Sequence, residues 1–299
     1  SGMQGLALTA LAIIDSGDRV VCIDPVWPNL GESFKIAGGQ IDPTTLVARD
    51  GRWHLDMEQL LAKLTDKTKA LLINSPNNPT GWVCSAEEQK IILDHCRKQG
   101  IWIVADDVYA RLYQHGSLAP GFQHLANADD LLISINSFSK AWSMTGWRLG
   151  WITAPATLEK TFAHLTEFNI ACPAGFIQEA GLAMIEQGEA EVSLLQHRLR
   201  RALTLTRTRL KHFEDISFIE PDGAFYCFFS VRGLKDSLAF AHALLDQTKV
   251  GLAPGLAFGP AGKGYLRLCY AQDEQILNKA FDRLDKGFNA VRRSLIEDK

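Results

Sequence analysis

Residues 130–139 read DLLISINSFS, and residue 140 is a lysine. The apolar run has the length and the Leu/Ile content of a buried strand, and it stops at a cluster of hydroxyls and one amine. Four further runs share that make-up: RVVCID (19–24), KALLINSP (69–76), IWIVADDVY (101–109) and RLGWITA (148–154). Longer segments of helical period lie between them. The clearest is SAEEQKIILDHCRKQG (85–100), with Ser85 as N-cap, Glu88 three residues on to complete a capping box, and Gly100 as C-cap. Apolar strands separated by helices predict an α/β fold, a mostly parallel sheet sandwiched by helices.

The rhythm changes near residue 186. GEAEVSLLQHRLRRALTLTRTRLKHF (188–213) reads as one long amphipathic helix. Short strands are expected at ISFIE (216–220), AFYCFF (224–229) and GYLRLCY (264–270), with helices near 236–248 and 273–295. This looser order predicts a smaller C-terminal α+β domain over 186–299 beside a large domain over 1–185. An apolar helical pattern begins at the first residues, SGMQGLALTALAIIDSG (1–17), which suggests that the sequence starts inside a domain.

Composition narrows the function classes. Of 299 residues 46% are hydrophobic, and a formal charge of −3 comes from interspersed acids and bases. No basic stripe is offered to a phosphate backbone, so nucleic acid is not an expected partner. No apolar run reaches the roughly 18 residues of a membrane span, and the start lacks a signal-peptide pattern. The six cysteines (Cys22, Cys84, Cys96, Cys172, Cys227, Cys269) lack C-x-x-C pairing and metal-ligand spacing. They are expected as reduced core thiols of a cytoplasmic protein without a metal site.

In open α/β sheets ligands sit beyond the carboxyl ends of the strands, so the residues just after each apolar run carry the chemistry. Here they are Asn77, Asn78, Thr80 and Gly81 after one run, Asp106, Asp107 and Tyr109 after the next, and Ser137, Ser139 and Lys140 after the third. Singly, each has a duller reading as a turn former or helix cap. Together they bring an amide, a carboxylate, a phenol, hydroxyls and an amine to one crevice. A lysine whose pKa is lowered by burial or nearby cations becomes a nucleophile that forms Schiff bases. The commonest cofactor held that way, pyridoxal phosphate, also needs an acid for its ring nitrogen and a cradle for its phosphate. Asp106 suits the first need; SGMQG (1–5) at a helix start, with Ser137 and Arg148, suits the second.

At this point the sequence resembles the class I/II aminotransferases of pyridoxal phosphate fold type I. SPNNPTG (75–81), DDVY (106–109), SFSKAWSMTGWRLG (137–150), PDGAFY (221–226), APGLAFG (253–259) and GYLRLCY (264–270) match family blocks in order along essentially the whole sequence. The resemblance implies that Lys140 forms the Schiff base with pyridoxal 5'-phosphate and then moves the proton at the substrate α-carbon. It implies Asp106 at the ring nitrogen, Asn78 and Tyr109 at the phenolic oxygen, Trp27 against the ring, and Gly2, Met3, Ser137 and Arg148 around the phosphate. Arg267 would grip the substrate α-carboxylate, with Asn78 beside it. The acid usually found at position 107 is Glu, and here it is Asp.

The implied activity is transfer of an amino group between an L-amino acid and a 2-oxo acid in amino acid metabolism, by a cytoplasmic homodimer with its site near the subunit interface. The family's N-terminal arm, part of its small domain and a glycine-containing loop over the substrate are expected outside this sequence. Two other functions stay open on the same residues. One is a pyridoxal-phosphate-dependent carbon–sulfur β-lyase; the other is the aminotransferase-like domain of a transcriptional regulator.

Overall fold

The computed structural model describes residues 1–297. Helix α1 (Gly2–Ile13) follows Ser1, whose hydroxyl caps it by accepting from Gln4 N. Next come β1 (Arg19–Asp24), α2 (Pro28–Ile36), β2 (Gln40–Thr45), a hairpin of β3 (Val47–Arg49) and β4 (Arg52–His54), and α3 (Met57–Lys63). The order continues β5 (Thr68–Asn74), α4 (Ala86–Gln99), β6 (Trp102–Asp106), β7 (Leu132–Ser137) and β8 (Gly150–Thr153). Helices α5 (Glu159–Ile170), α6 (Gly175–Gln187) and α7 (Glu189–Leu210) lead to β9 (Ile216–Ser217) and β10 (Tyr226–Val231). The last elements are α8 (Ser237–Thr248), β11 (Ala253–Pro254), β12 (Tyr265–Cys269) and α9 (Glu274–Arg292).

The main sheet has the order β2-β1-β5-β6-β7-β8. Its pairings are parallel except that of β7 with β8. Residues 138–149, which join those two strands, hold only short turns; without a crossover helix the chain reverses. Alternation along each strand feeds two apolar layers. Val20, Cys22, Ala70, Leu72, Val104 and Ile133 pack against α1 and α2, whereas Val21, Ile23, Leu71, Ile73 and Ile103 pack against α3 and α4. Both faces are covered, which is why the strands read as unbroken apolar runs.

The predicted cap of α4 is present in full. Ser85 Oγ accepts from Glu88 N, Glu88 accepts from Ser85 N, and Gly100 ends the helix at φ 68°. Such a box stabilises a helix by about 1 kcal/mol. Strand β2, QIDPTT, is absent from the sequence reading. It carries a proline and an aspartate, tolerated because it is an edge strand, and Asp42 pairs with Arg19 and Lys63.

A second sheet, β11-β12-β10-β9, is antiparallel. The stretch ISFIE pairs only at Ile216 and Ser217. Beyond them Glu220 N donates to Gly51 O, and the Glu220 carboxylate pairs with Arg207, so the chain leaves the sheet to meet the β3–β4 turn. Phe240, Phe281 and Phe288 of α8 and α9 close the core behind this sheet. In front, Phe228 stacks on Tyr265 at 5.0 Å and lies 5.9 Å from Trp53 of β4, which seats the second sheet on the first part of the chain. All six cysteines are free thiols, but Cys172 and Cys269 are exposed, which corrects the expectation that all lie in the core. Cys172 follows the end of α5, and Cys269 is the last residue of β12. Among the described residues no helix is long and apolar enough to cross a membrane.

Candidate active site

Parallel register sets the strand ends level. Asn74 of β5 lies beside Asp106 of β6, which lies beside Ile135 of β7. Past that line open the loops that the sequence marks as polar, and they converge. A cavity of about 360 Å³ is lined by Gly2, Met3, Trp27, Asn78, Asp106, Tyr109, Ser137, Lys140, Arg148 and Arg267, so every residue to which the family resemblance gives a role borders one space, whereas Asn77, Thr80, Gly81 and Asp107 of the strand-end set do not line it. Asn74, Ser139 and Tyr226 border it as well.

Each wall has a local reason for its shape. Asn74 Oδ1 accepts from Asn78 N at 2.8 Å, and its Nδ2 donates to Asp106 O at 2.9 Å; one amide thus fixes the turn after β5 to the end of β6. Gly81 completes that turn at φ 72°, where a Cβ would stand 2.3 Å from Pro221. On the far side, the N-terminus of α1 butts against β7 and β8. A Cβ on Gly150 would meet Asn136 O at 2.5 Å and Gly2 N at 2.8 Å, so the approach of the helix requires glycine there. Arg148 itself sits in the left-handed region, φ 54°, an uncommon place for a non-glycine residue. Its Nη1 donates to Thr145 O at 2.7 Å and reaches Ser139 Oγ at 3.5 Å. Ser137 Oγ accepts from Ser139 N at 3.1 Å. Arg148 is exposed, at the rim of the cavity rather than in its depth.

The cavity floor is electrostatically unusual. Asp106 is buried, and its Oδ1 accepts one hydrogen bond, from Val108 N at 3.3 Å. Burial pushes its carboxyl up to about 7; Asp107 adds to the rise, against the Val108 N–H and the charge of Lys140. Lys140 is half-buried, with Nζ 5.7 Å from the Tyr109 ring centroid and 5.9 Å from that of Phe225. Burial lowers its pKa, helped by the cations Arg148 and Arg267 and opposed by Asp106 and Cys269. A depressed amine facing an under-solvated acid can act as nucleophile and as proton carrier.

Arg267 comes from β12, opposite Phe228 in the sheet. Its guanidinium lies between two rings, 4.4 Å from the centroid of Tyr226 and 4.7 Å from that of Phe258. Nη1 donates to Asn78 Oδ1 at 2.8 Å, and Nε is a buried donor without an acceptor among the described residues. A planar cation held by stacking, with donors left over, suits a carboxylate. Trp27 N donates to Asn78 O at 2.8 Å, which brings the half-buried indole to the same wall. Lys263, in the loop before β12, is exposed. No group of His, Cys, Asp and Glu among the described residues is arranged to hold a metal.

Comparison with known proteins gives a consistent result. A family profile described as aminotransferase class I and II matches residues 1–284. The chain is 33% identical over 296 residues to an aspartate aminotransferase of Pyrococcus horikoshii, spanning 97% of this chain and 74% of that protein. It is 31% identical over 293 residues to a probable aspartate/prephenate aminotransferase of Aquifex aeolicus, spanning 96% of this chain and 74% of the relative. The crystal structure of an aromatic aminotransferase from Pyrococcus horikoshii superposes with a TM-score of 0.91 at 29% identity, covering 97% of this chain and 78% of that one.

Proposed function

The chain belongs to the class I and II aminotransferases and is a transaminase, and from that premise we propose that its pyridoxal phosphate is held at Lys140 and its substrate carboxylate at Arg267. The cavity fits such a cofactor on three counts. Asp106 is a buried acid with a single N–H partner and room for a cationic one. At the N-terminus of α1, Gly2 leaves space that a Cβ would fill at 3.3 Å from Ser137 Cβ, so backbone N–H groups lie open to a phosphate beside Ser137 and Arg148. Lys140 offers an amine of lowered pKa.

When bound, pyridoxal phosphate supplies an aldehyde that takes up an amino group and a protonated ring that accepts the electrons of a bond broken at the substrate α-carbon. The chain's residues do the rest. Asp106 would keep the ring nitrogen protonated, a pairing that would also relieve its own buried charge. Asn78 and Tyr109 would hold the cofactor's phenolic oxygen, Trp27 its ring, and Met3 with Gly2 its phosphate. Arg267 orients the amino acid by its carboxylate, with Asn78 holding the guanidinium. Lys140 would hold the cofactor through its amine and, once free, would take the proton from the substrate α-carbon and give it back in the reverse half-reaction. The products are a 2-oxo acid and, after the second half-reaction, a new L-amino acid.

The same reading makes the enzyme a cytoplasmic homodimer. Its second copy covers the apolar face of α5 and α6, where Phe168, Phe176, Leu182 and Ile185 are exposed. The donors to screen first are L-aspartate and aromatic amino acids, the substrates for which the related aminotransferases are named. The observation that carries the proposal is the meeting of Lys140, Asp106 and Arg267 on one cavity. Borohydride reduction of the protein mixed with pyridoxal phosphate, followed by peptide mapping, should place the label on Lys140. A label spread over surface lysines, with Lys140 unmodified, would refute it.

A further inference from the structure

Tyr226, the first residue of β10, touches both halves of the site. Its hydroxyl lies 3.1 Å from that of Tyr109. The Arg267 guanidinium carbon stands 4.4 Å from its ring centroid. The ring is buried and braced by Phe225 at 4.7 Å. A phenol has one proton to donate. If Tyr109 gives its proton to an acceptor in the cavity, the bond between the two hydroxyls must be donated by Tyr226, and a phenol that accepts one hydrogen bond donates its own more strongly. The ring face meanwhile stabilises the guanidinium through its quadrupole.

We infer that Tyr226 is a positioning residue that links Arg267 to Tyr109, its hydroxyl setting the donor strength of Tyr109 and its ring holding the carboxylate-binding guanidinium in place. The inference rests on the proposed roles of Lys140, Tyr109 and Arg267. Charged and titratable groups facing the pair are Asp106 from β6, Lys140 beyond β7, and Arg267 and Cys269 from β12. None of them is altered in the variants that follow.

Tyr226→Phe keeps the ring and removes the hydroxyl; Tyr226→Leu removes both. Each is reconstituted with pyridoxal phosphate, checked for folding by thermal melting, and titrated with pH while the absorbance of the bound cofactor is followed. Binding of succinate and of 3-phenylpropionate, carboxylates without an amino group, is measured by calorimetry. Loss of the hydroxyl leaves Tyr109 a weaker donor to an oxygen anion, so protonation of the bound chromophore persists to higher pH. Tyr226→Phe should raise the titration midpoint by about 0.5 unit and lower kcat about 3- to 10-fold, with KM and carboxylate affinity within about twofold of the parent. Tyr226→Leu should add a loss of about 5- to 30-fold in KM and in carboxylate affinity. A midpoint in Tyr226→Phe equal to the parent's overturns the link to Tyr109. Carboxylate binding equal in the Leu and Phe variants overturns the hold on Arg267. Failure of the parent protein itself to take up cofactor at Lys140 is a different outcome, and it overturns the site assignment beneath the inference.

Discussion

The ends of β5, β6 and β7 and the pair α5–α6 invert the usual distribution of polar and apolar groups. At the strand ends polar side chains are buried: Asn74 is 2% exposed, Asp106 4% and Asn78 5%. On α5 and α6 apolar side chains face solvent: Phe168 is 81% exposed, Phe176 72% and Ile185 63%. The two helices do pack inward, through Phe162 onto the α1 layer and through Ile177 and Met184 onto Phe138. Their other faces are apolar too, the pattern of a helix buried on both sides. Asn74 and Asn78 are satisfied within the protein and fix the walls, whereas the under-partnered Asp106 carboxylate and Arg267 Nε are the groups a ligand would complete; exposed apolar groups are those a protein surface would cover.

Substitutions can break this comparison, because site changes should abolish chemistry and leave assembly intact, whereas helix-face changes should do the reverse. Lys140→Ala carries the largest expected effect, a fall of about ten-thousand-fold or more in turnover with an unchanged sedimentation profile. Arg267→Ala should lower kcat/KM by about 100- to 1,000-fold, and Arg267→Lys by less, since the ammonium keeps the charge but not the two-pronged geometry; steady-state kinetics measures both. On the other region, Phe168→Glu combined with Phe176→Glu should raise the dissociation constant of the proposed dimer at least about 100-fold in analytical ultracentrifugation, since about 1.5–3 kcal/mol is lost for each phenylalanine removed. Borohydride labelling at Lys140 should survive in that double variant.

The smallest effect concerns pH. Asp106 has a folded pKa of about 7, above its unfolded value, so the stability it contributes is full below about pH 4 and is lost as pH rises through 7. Asp107, pushed by burial to about 6, acts in the same sense. Denaturant unfolding of the protein without cofactor should therefore show a loss of about 1–3 kcal/mol between pH 5 and pH 8 that shrinks in Asp106→Asn. Saturating pyridoxal phosphate should also shrink it by pairing the carboxylate. An equal pH slope in parent and variant would remove Asp106 as the source.

Which parts of the site were legible follows from how far apart their partners are. Asp106, Ser137 and Lys140 terminate apolar runs, so strand period and local composition mark them. Asn74 reads as an ordinary strand residue, because its task is to bond Asp106 O thirty-two positions away. Tyr226 reads as core, since its partner Tyr109 lies 117 positions distant. Strand β2 was illegible for another reason: its proline and aspartate violate strand preference, and only the edge position and the Arg19 and Lys63 partners make them tolerable.

The amino-acid sequence by itself determined the alternation of strands and helices, the capping of α4 and the reactive groups at the strand ends. Each of these depends on contacts within a few residues, where backbone geometry and side-chain period leave little choice. Tertiary structure alone decided that Arg267 reaches Asn78 across 189 positions, that Tyr226 joins both to Tyr109, and that one face of α5 and α6 is left exposed. Those outcomes depend on which surfaces meet when the sheets pack: an apolar run marks a strand as buried, but which residues far apart in sequence meet, and which apolar helix face stays uncovered, is settled only by that packing.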